Sequence, residues 1–432
     1  MSTAVTATAR RPTLAASSFL LLVGKGAQMG FGMLFWLIAA RTATVHQVGL
    51  ATATVSAVMV CAQLALLGAG AAVITELPRQ NGRWDRLLDT SATLVVAGSI
   101  TLGLGYPLVA GLFSGELRDV FAAPGFAAVF VVAAIFGTLI IWYDQVSVAD
   151  GRSGQTALRY TVGGGLTIAT VATLALLDGR IGAASLFAAW AVGGVAACAI
   201  GAVQLYRTTR YRYRPRFDWP ESRRLLRIGV PNQLLTLTER LPALVIPVLV
   251  ADLASPTMSA YWYPAWMMAW GVYNAPTLVG LVQFADTVRR PDEVRRMALT
   301  AVRWSLLLGG PLAIAVAVLA RPLLGLLGDA YAGASVGGLR ILVLGLLPYT
   351  LIQVYNAACR ATRRLTEGVL AGTVTATLAV AGTVAAATDR NVTLMAVAWL
   401  AALTLASIWA VVRLRRLATA APGSPLREGV QR

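Results

Sequence analysis

The sequence predicts an all-α integral membrane protein of about 12 transmembrane helices, in two pseudo-repeated six-helix bundles with both termini cytoplasmic. Three observations carry this prediction. Of 432 residues, 57% are hydrophobic and only 13% charged, against roughly 25% charged in an ordinary soluble domain; mean hydropathy is +0.69. Apolar runs of roughly 20 residues recur along the chain, the length that crosses a hydrocarbon core as a helix. The basic residues fall almost entirely on alternate sides of these runs, as cytoplasmic loops demand.

The runs lie at 17–40, 47–75, 91–113, 125–147, 157–177, 183–206, 228–251, 257–285, 298–320, 336–358, 366–388 and 393–413. Arg10 and Arg11 precede the first, but that run is too long for the apolar region of a signal peptide and contains Lys25, so it reads as an uncleaved helix. With the N-terminus inside, 27 arginines fall on the inner side, Arg159 and Arg360 among them. Only 6, namely Arg41, Arg118, Arg180, Arg321, Arg340 and Arg390, fall outside. The centre of the chain, Tyr206–Arg227, carries eight arginines and reads as a topology anchor and linker, with contact to anionic lipid as a further role. The expected organisation is a cytoplasmic segment 1–16, a first bundle 17–206, a basic linker 207–227, a second bundle 228–416 and a disordered cytoplasmic tail 417–432.

Composition also excludes classes. A net charge of +17 would suggest nucleic acid in a soluble protein; here the inner loops account for it, and no aromatic-basic nucleic-acid module is present. Lys25 is the only lysine, a bias expected of a GC-rich bacterial genome. Cys61, Cys198 and Cys359 are isolated within apolar runs and offer neither a disulfide framework nor metal-ligand spacing. Gly24-Lys25-Gly26 lacks the spaced glycine and following Ser/Thr of a phosphate-binding loop. No nucleotide-hydrolysing domain, paired-acid site or Ser/His/Asp constellation is recognisable, and His46, the single histidine, sits in a short outside turn. Neither an enzyme nor a cofactor is predicted.

The two halves correspond. Pro107-Leu-Val-Ala-Gly-Leu-Phe-Ser-Gly near the end of the third run matches Pro322-Leu-Leu-Gly-Leu-Leu-Gly-Asp near the end of the ninth. Val148-Ala-Asp-Gly-Arg-Ser-Gly after the fourth matches Ala357-Ala-Cys-Arg-Ala-Thr-Arg after the tenth. A six-plus-six repeat is characteristic of secondary transporters, with the pathway between the halves.

Several stretches resemble the polysaccharide transporter family: Pro322 to Ala334 followed by Leu339-Arg-Ile-Leu-Val-Leu-Gly-Leu-Leu-Pro348, the close Tyr355-Asn-Ala-Ala-Cys-Arg-Ala-Thr-Arg, and at the start Phe19-Leu-Leu-Leu-Val-Gly-Lys-Gly, Ala39-Ala-Arg-Thr-Ala-Thr-Val-His-Gln-Val-Gly49-Leu and Leu67-Gly-Ala-Gly-Ala. The resemblance covers nearly the whole chain. It implies a V-shaped pair of bundles in the bacterial cytoplasmic membrane that flips an undecaprenyl-diphosphate-linked oligosaccharide outward by alternating access. Its implied partners are that lipid-linked substrate, membrane lipids, and the polymerase or glycosyltransferases of the same pathway. The alternatives are a small-molecule or drug exporter of the same superfamily or of the major facilitator type, and a membrane glycan polymerase or glycosyltransferase. The loop Glu76-Leu-Pro-Arg-Gln-Asn-Gly-Arg-Trp-Asp-Arg lacks the major facilitator signature, and Thr42–Gln47 is short for an outside catalytic loop.

Charges at helix depth are the candidate site residues, because an ionisable group there costs a few kcal/mol unless it faces a partner or a wet cavity. Lys25 and Arg240 are read as cavity cations for a diphosphate, with Arg303 as a third; the resemblance supports Lys25, since related precursor flippases carry basic residues on the first helix. Glu239 and Asp144 are read as ion-coupling carboxylates. Snorkelling for Lys25, Arg303 and Asp144, and an inter-helix ion pair for Glu239 and Arg240, are the structural readings beside these. Pro231, Pro242 and Pro247 mark the seventh run as a bent, pathway-lining helix, with Asn232, Gln233 and, on the eighth run, Asn274 lining the same path. Tyr261, Trp262, Tyr263 and Trp266 read as an interfacial aromatic belt or a sugar platform.

Overall fold

The computed structural model describes residues 14–77, 84–113, 120–121, 125–150, 152, 154–178, 180–289, 293–362 and 364–419. The first half contains α1 (Leu14–Thr42), α2 (Val45–Ala65), α3 (Ala69–Glu76), α4 (Asp85–Phe113), α5 (Phe126–Ala149), α6 (Gln155–Asp178) and α7 (Ala183–Thr209). The second half contains α8 (Trp219–Leu253), α9 (Pro256–Arg289), α10 (Val294–Val318), α11 (Ala320–Gly325), α12 (Asp329–Leu344), α13 (Leu346–Ala361), α14 (Leu365–Ala387) and α15 (Val392–Thr419). Every expected span falls on a helix or a helix pair. Among the described residues, nine helices are long and apolar enough to cross a membrane, and α12 with α13 form a tenth, broken span bent by 43°. The remaining two expected spans are α1 and α9, of 29 and 34 residues.

The repeat seen in sequence returns in the packing. In the first half α1 packs on α6, α6 on α7, and α4 and α7 on α5. In the second half α8 packs on α14, α14 on α15, and α10 and α15 on the α12–α13 pair. The two halves meet mainly through α2, which lies against both α8 and α9.

Two expected spans are broken. The run 47–75 divides at Leu66–Gly68, where Leu67 and Gly68 have φ of 46° and 77°. The cause is tertiary: Gly68 abuts Gly229 of α8, and a Cβ on either would overlap the other's backbone. Glycine tolerates both the positive φ and the close approach. The run 336–358 breaks at Gly345, where the Leu342 carbonyl accepts from the Gly345 amide at 2.9 Å and from the Tyr273 hydroxyl. A Cβ at position 345 would overlap that hydroxyl.

The end of the molecule that carries the central arginines is called the basic end below. At the opposite end the halves share one apolar cluster, in which Phe35, Trp36, Ala39 and Val48 pack with Ala251, Ala260, Leu327 and Tyr331. Gly49 lies directly on the Pro256 carbonyl, Thr52 Oγ1 is 3.4 Å from Ser259 Oγ, and the Trp36 and Tyr263 rings meet edge-on at 5.2 Å. Arg41 donates to the carbonyls of Leu326 and Gly325 at 2.8 and 3.1 Å. The tryptophans of α9 pack into a second cluster within the second half: Trp262 and Trp266 are buried, and Trp266 meets Trp399 of α15 at 4.5 Å. They form core rather than a belt facing lipid, because α2, α8, α10, α12 and α13 surround α9.

Only 210–218 of the central stretch is non-helical; α8 already begins at Trp219. This strand is strapped along the start of α4. Asp89 accepts from the Tyr211 hydroxyl at 2.7 Å and the Arg214 amide at 2.9 Å. Thr93 Oγ1 accepts from the Arg216 amide at 3.1 Å and lies 3.1 Å from the Tyr213 hydroxyl. Burial, and then the bond to Asp89, pushes the Tyr211 phenol well above its ordinary range. Asp218 caps α8 by accepting from the Glu221 amide at 3.3 Å and receives Arg86 Nε at 2.7 Å. That amide, then Arg86, holds its carboxyl below the usual carboxylate range. Arg224 pairs with the buried Glu76.

Candidate functional site

Glu239 and Arg240 are adjacent on α8, so their side chains leave the helix about 100° apart. The face bearing Leu235 and Thr238 is packed on Gly368 and Gly372 of α14. Glu239 turns to α13, where it accepts from Asn356 Nδ2 at 2.9 Å and from Arg360 Nη2 at 3.2 Å on each oxygen. Both members of this ion pair are largely buried, with side chains 14% and 19% exposed. Arg240 is exposed. Among the described residues it has no hydrogen-bond or ion-pair partner, and its charge acts on Tyr160 of α6 and on Tyr349 of α13. It is therefore within electrostatic reach of both halves.

The first half has its own buried pair. Arg159 on α6 is 1% exposed and donates to Asp144 Oδ1 on α5 at 2.9 Å. It also donates to Gln204 at 2.8 Å, Ser147 at 3.1 Å and Thr156 at 3.2 Å. The Tyr160 hydroxyl donates to the second oxygen of Asp144 at 2.7 Å. A buried guanidinium is tolerated when a carboxylate and several acceptors surround it. Tyr160 of this cluster lies within electrostatic reach of Arg240.

The other expected site residues are distributed differently. The side chain of Lys25 lies outside the described residues; on its helix Gly26, Gln28 and Gly30 are exposed. Asn232 is half-buried on α8. Gln233 is 8% exposed and clasps the Gln63 carbonyl of α2 at 2.8 Å, so it joins the halves instead of lining open space. Asn274 donates to the Trp270 carbonyl at 3.1 Å and approaches Met29 Sδ of α1 at 3.4 Å, again across the halves. Arg303 is exposed on α10, one turn from each of Leu299 and Leu307, which are 62% and 53% exposed. That apolar stripe is a lipid-facing pattern, and α10 makes its packing contacts within the second half.

Sequence reading missed the partners. Arg159 and Arg360 were assigned to inner loops, yet both lie inside helices and hold the two candidate carboxylates. The available signal was position: each lies within two turns of a helix end, Arg159 on the helix after its acid and Arg360 on the second-half counterpart of α5.

Residues 38–336 match the profile of a family described as "Polysaccharide biosynthesis protein". No curated protein sequence matches the chain. Among solved structures, lipid II flippase MurJ in an inward closed conformation aligns with a TM-score of 0.73 at 12% identity, covering 92% of this chain and 87% of that one. An inward-facing multidrug resistance MATE family transporter of the MOP superfamily aligns with a TM-score of 0.68 at 15% identity, covering 93% and 100%. A MOP superfamily transporter from Pyrococcus furiosus aligns with 0.63 at 15%, covering 93% and 95%. The chain thus belongs to the polysaccharide biosynthesis protein family, on the helical fold it shares with MATE transporters and MurJ.

Proposed function

We propose that this protein is a secondary transporter that flips an undecaprenyl-diphosphate-linked oligosaccharide across the bacterial cytoplasmic membrane by alternating access. The observation that carries the reading is Arg240: exposed, without a partner among the described residues, and flanked by two halves that each hold a buried arginine–carboxylate pair. A planar guanidinium takes two phosphate oxygens at once, and desolvation in the cleft strengthens that bond. Lys25 on α1 is the proposed second cation, and the Tyr160 and Tyr349 hydroxyls flank the same space. Family membership supports a polysaccharide substrate, and the shared fold supports movement of one half against the other. Glu239 is the proposed coupling group: with the diphosphate on Arg240, it exchanges Arg360 for a proton or sodium.

The test is reconstitution. Proteoliposomes should move a fluorescent undecaprenyl-diphosphate oligosaccharide to the far leaflet faster than empty vesicles, and should leave a cationic dye untouched. Dye export without lipid translocation would overturn the reading in favour of a drug exporter.

A further inference from the structure

The strand 210–218 and the first turns of α8 form a surface that the cleft does not use. Tyr211 is buried, whereas Tyr213 is 44% exposed with its hydroxyl 3.1 Å from Thr93 Oγ1 of α4. Arg212, Arg214 and Arg216, two residues apart, are all exposed. In extended chain such neighbours stand roughly 7 Å apart, far enough for separate phosphates; the Arg212 guanidinium also lies over the Tyr206 ring at 5.4 Å, a contact a phosphate would compete with. Next to them Phe217 and Trp219 are 66% and 61% exposed and stack on each other at 6.2 Å. Aromatic rings that protrude at the entry of a membrane helix suit the headgroup layer, one edge apolar and the other wet.

The depth of the strand selects the partner. Thr93, which holds the Arg216 amide, lies eight residues beyond Asp85, roughly 12 Å along α4. Because Asp85–Val109 is an apolar candidate span, a strand pinned against its first two turns runs at the level of the headgroups. We propose that Arg212, Arg214 and Arg216, with Trp219 as an anchor, form a docking comb for anionic phospholipid headgroups at the basic end of the molecule. The proposal is independent of what crosses between the halves.

The experiment uses full-length protein in neutral detergent, titrated with phosphatidylglycerol or phosphatidylcholine, with bound lipid counted by native mass spectrometry. Wild type should retain phosphatidylglycerol selectively, and less of it as salt rises. Each arginine near the surface accounts for roughly a five-fold change in binding, so R212Q/R214Q/R216Q should weaken retention by about 100-fold. R212K/R214K/R216K should keep most of it. The control R180Q/R321Q/R390Q, with the same charge loss away from this segment, should match wild type. Equal retention of phosphatidylcholine, an undiminished glutamine triple variant, or an equal loss in the control would overturn the proposal. Displacement of phosphatidylglycerol by a short DNA duplex at matched phosphate concentration would also overturn it, by marking a surface for any polyanion. Should the glutamine variant fail to fold, the lysine variant and the wild-type lipid comparison still decide.

Discussion

Nη2 of Arg360 lies 3.2 Å from both carboxylate oxygens of Glu239, so this acid is neutralised by a neighbouring helix and not by Arg240 beside it in sequence. Removing one member of a buried pair strands the other and costs about 3–5 kcal/mol; partial exposure puts this pair at the lower end. Glu239→Gln and Arg360→Gln should each lower the thermal unfolding temperature in detergent, and the double variant should recover most of the loss. If the double variant is stable but still fails to export, Glu239 is the coupling group as well as a structural one. A Glu239→Gln protein with wild-type melting and normal surface glycan would remove both roles.

Arg240 is expected to behave in the opposite way. An exposed side chain without partners contributes within about 0.5 kcal/mol to stability. Arg240→Gln should therefore melt like wild type and be present in the membrane at the same level while export is lost. Arg240→Lys should keep the charge but lose the planar fork, retaining partial export. Normal export in a strain carrying Arg240→Gln would show that the substrate anion is held elsewhere.

Asp144→Asn should be among the most damaging substitutions in the first half. It leaves Arg159, 1% exposed, without its carboxylate, at a cost of about 3–5 kcal/mol. The readout is the yield of monodisperse protein by fluorescence-detected size exclusion, where Asp144→Asn should fall well below Arg240→Gln. Comparable yields would mean that other acceptors around Arg159 suffice.

The opposite end can be locked. Thr52 and Ser259 hydroxyl oxygens are 3.4 Å apart across the halves, close enough for paired cysteines to meet disulfide geometry with small adjustments. Oxidised Thr52→Cys/Ser259→Cys should stop transport and recover it on reduction. Cys61, Cys198 and Cys359 are buried and should not interfere. Undiminished transport by the cross-linked protein would mean that this end does not open.

The strap has a pH dependence. Asp218 has a carboxyl held below its ordinary range by the Glu221 amide and by Arg86. Its contribution is complete above the unfolded value, about 4, and fades as pH falls through the lower folded value. Amide exchange in 210–218, corrected for its intrinsic rate, should rise on acidification below that point, and Asp218→Asn should show the raised rate already at neutral pH. Equal exchange in both proteins would detach Asp218 from the strap.

The spans were legible because membrane insertion writes itself as apolar length, and the repeat was legible because both halves keep the same punctuation near Pro107 and Pro322. The breaks were not. Apolar sequence runs unbroken through Leu66–Gly68 and through Gly345, and what divides the helices is contact with Gly229 and Tyr273, each far away in sequence. The same limit governed the site. Glu239 and Arg240 stood out as charges in an apolar run, but Arg159 and Arg360 lie where a hydropathy pattern cannot distinguish the end turns of a helix from a loop. Asn274 and Gln233 are polar for a reason sequence does not carry: each reaches a partner on the other half.

Arg41 binds main chain, not side chain, at Gly325 and Leu326. Each peptide carbonyl is present whatever residue bears it. In a saturation screen the two sides of this contact should therefore diverge: position 41 should reject most replacements, whereas 325 and 326 should accept many. One arginine codon supplies this polar contact between the far ends of the halves, and random drift in the segment it grips leaves the grip in place.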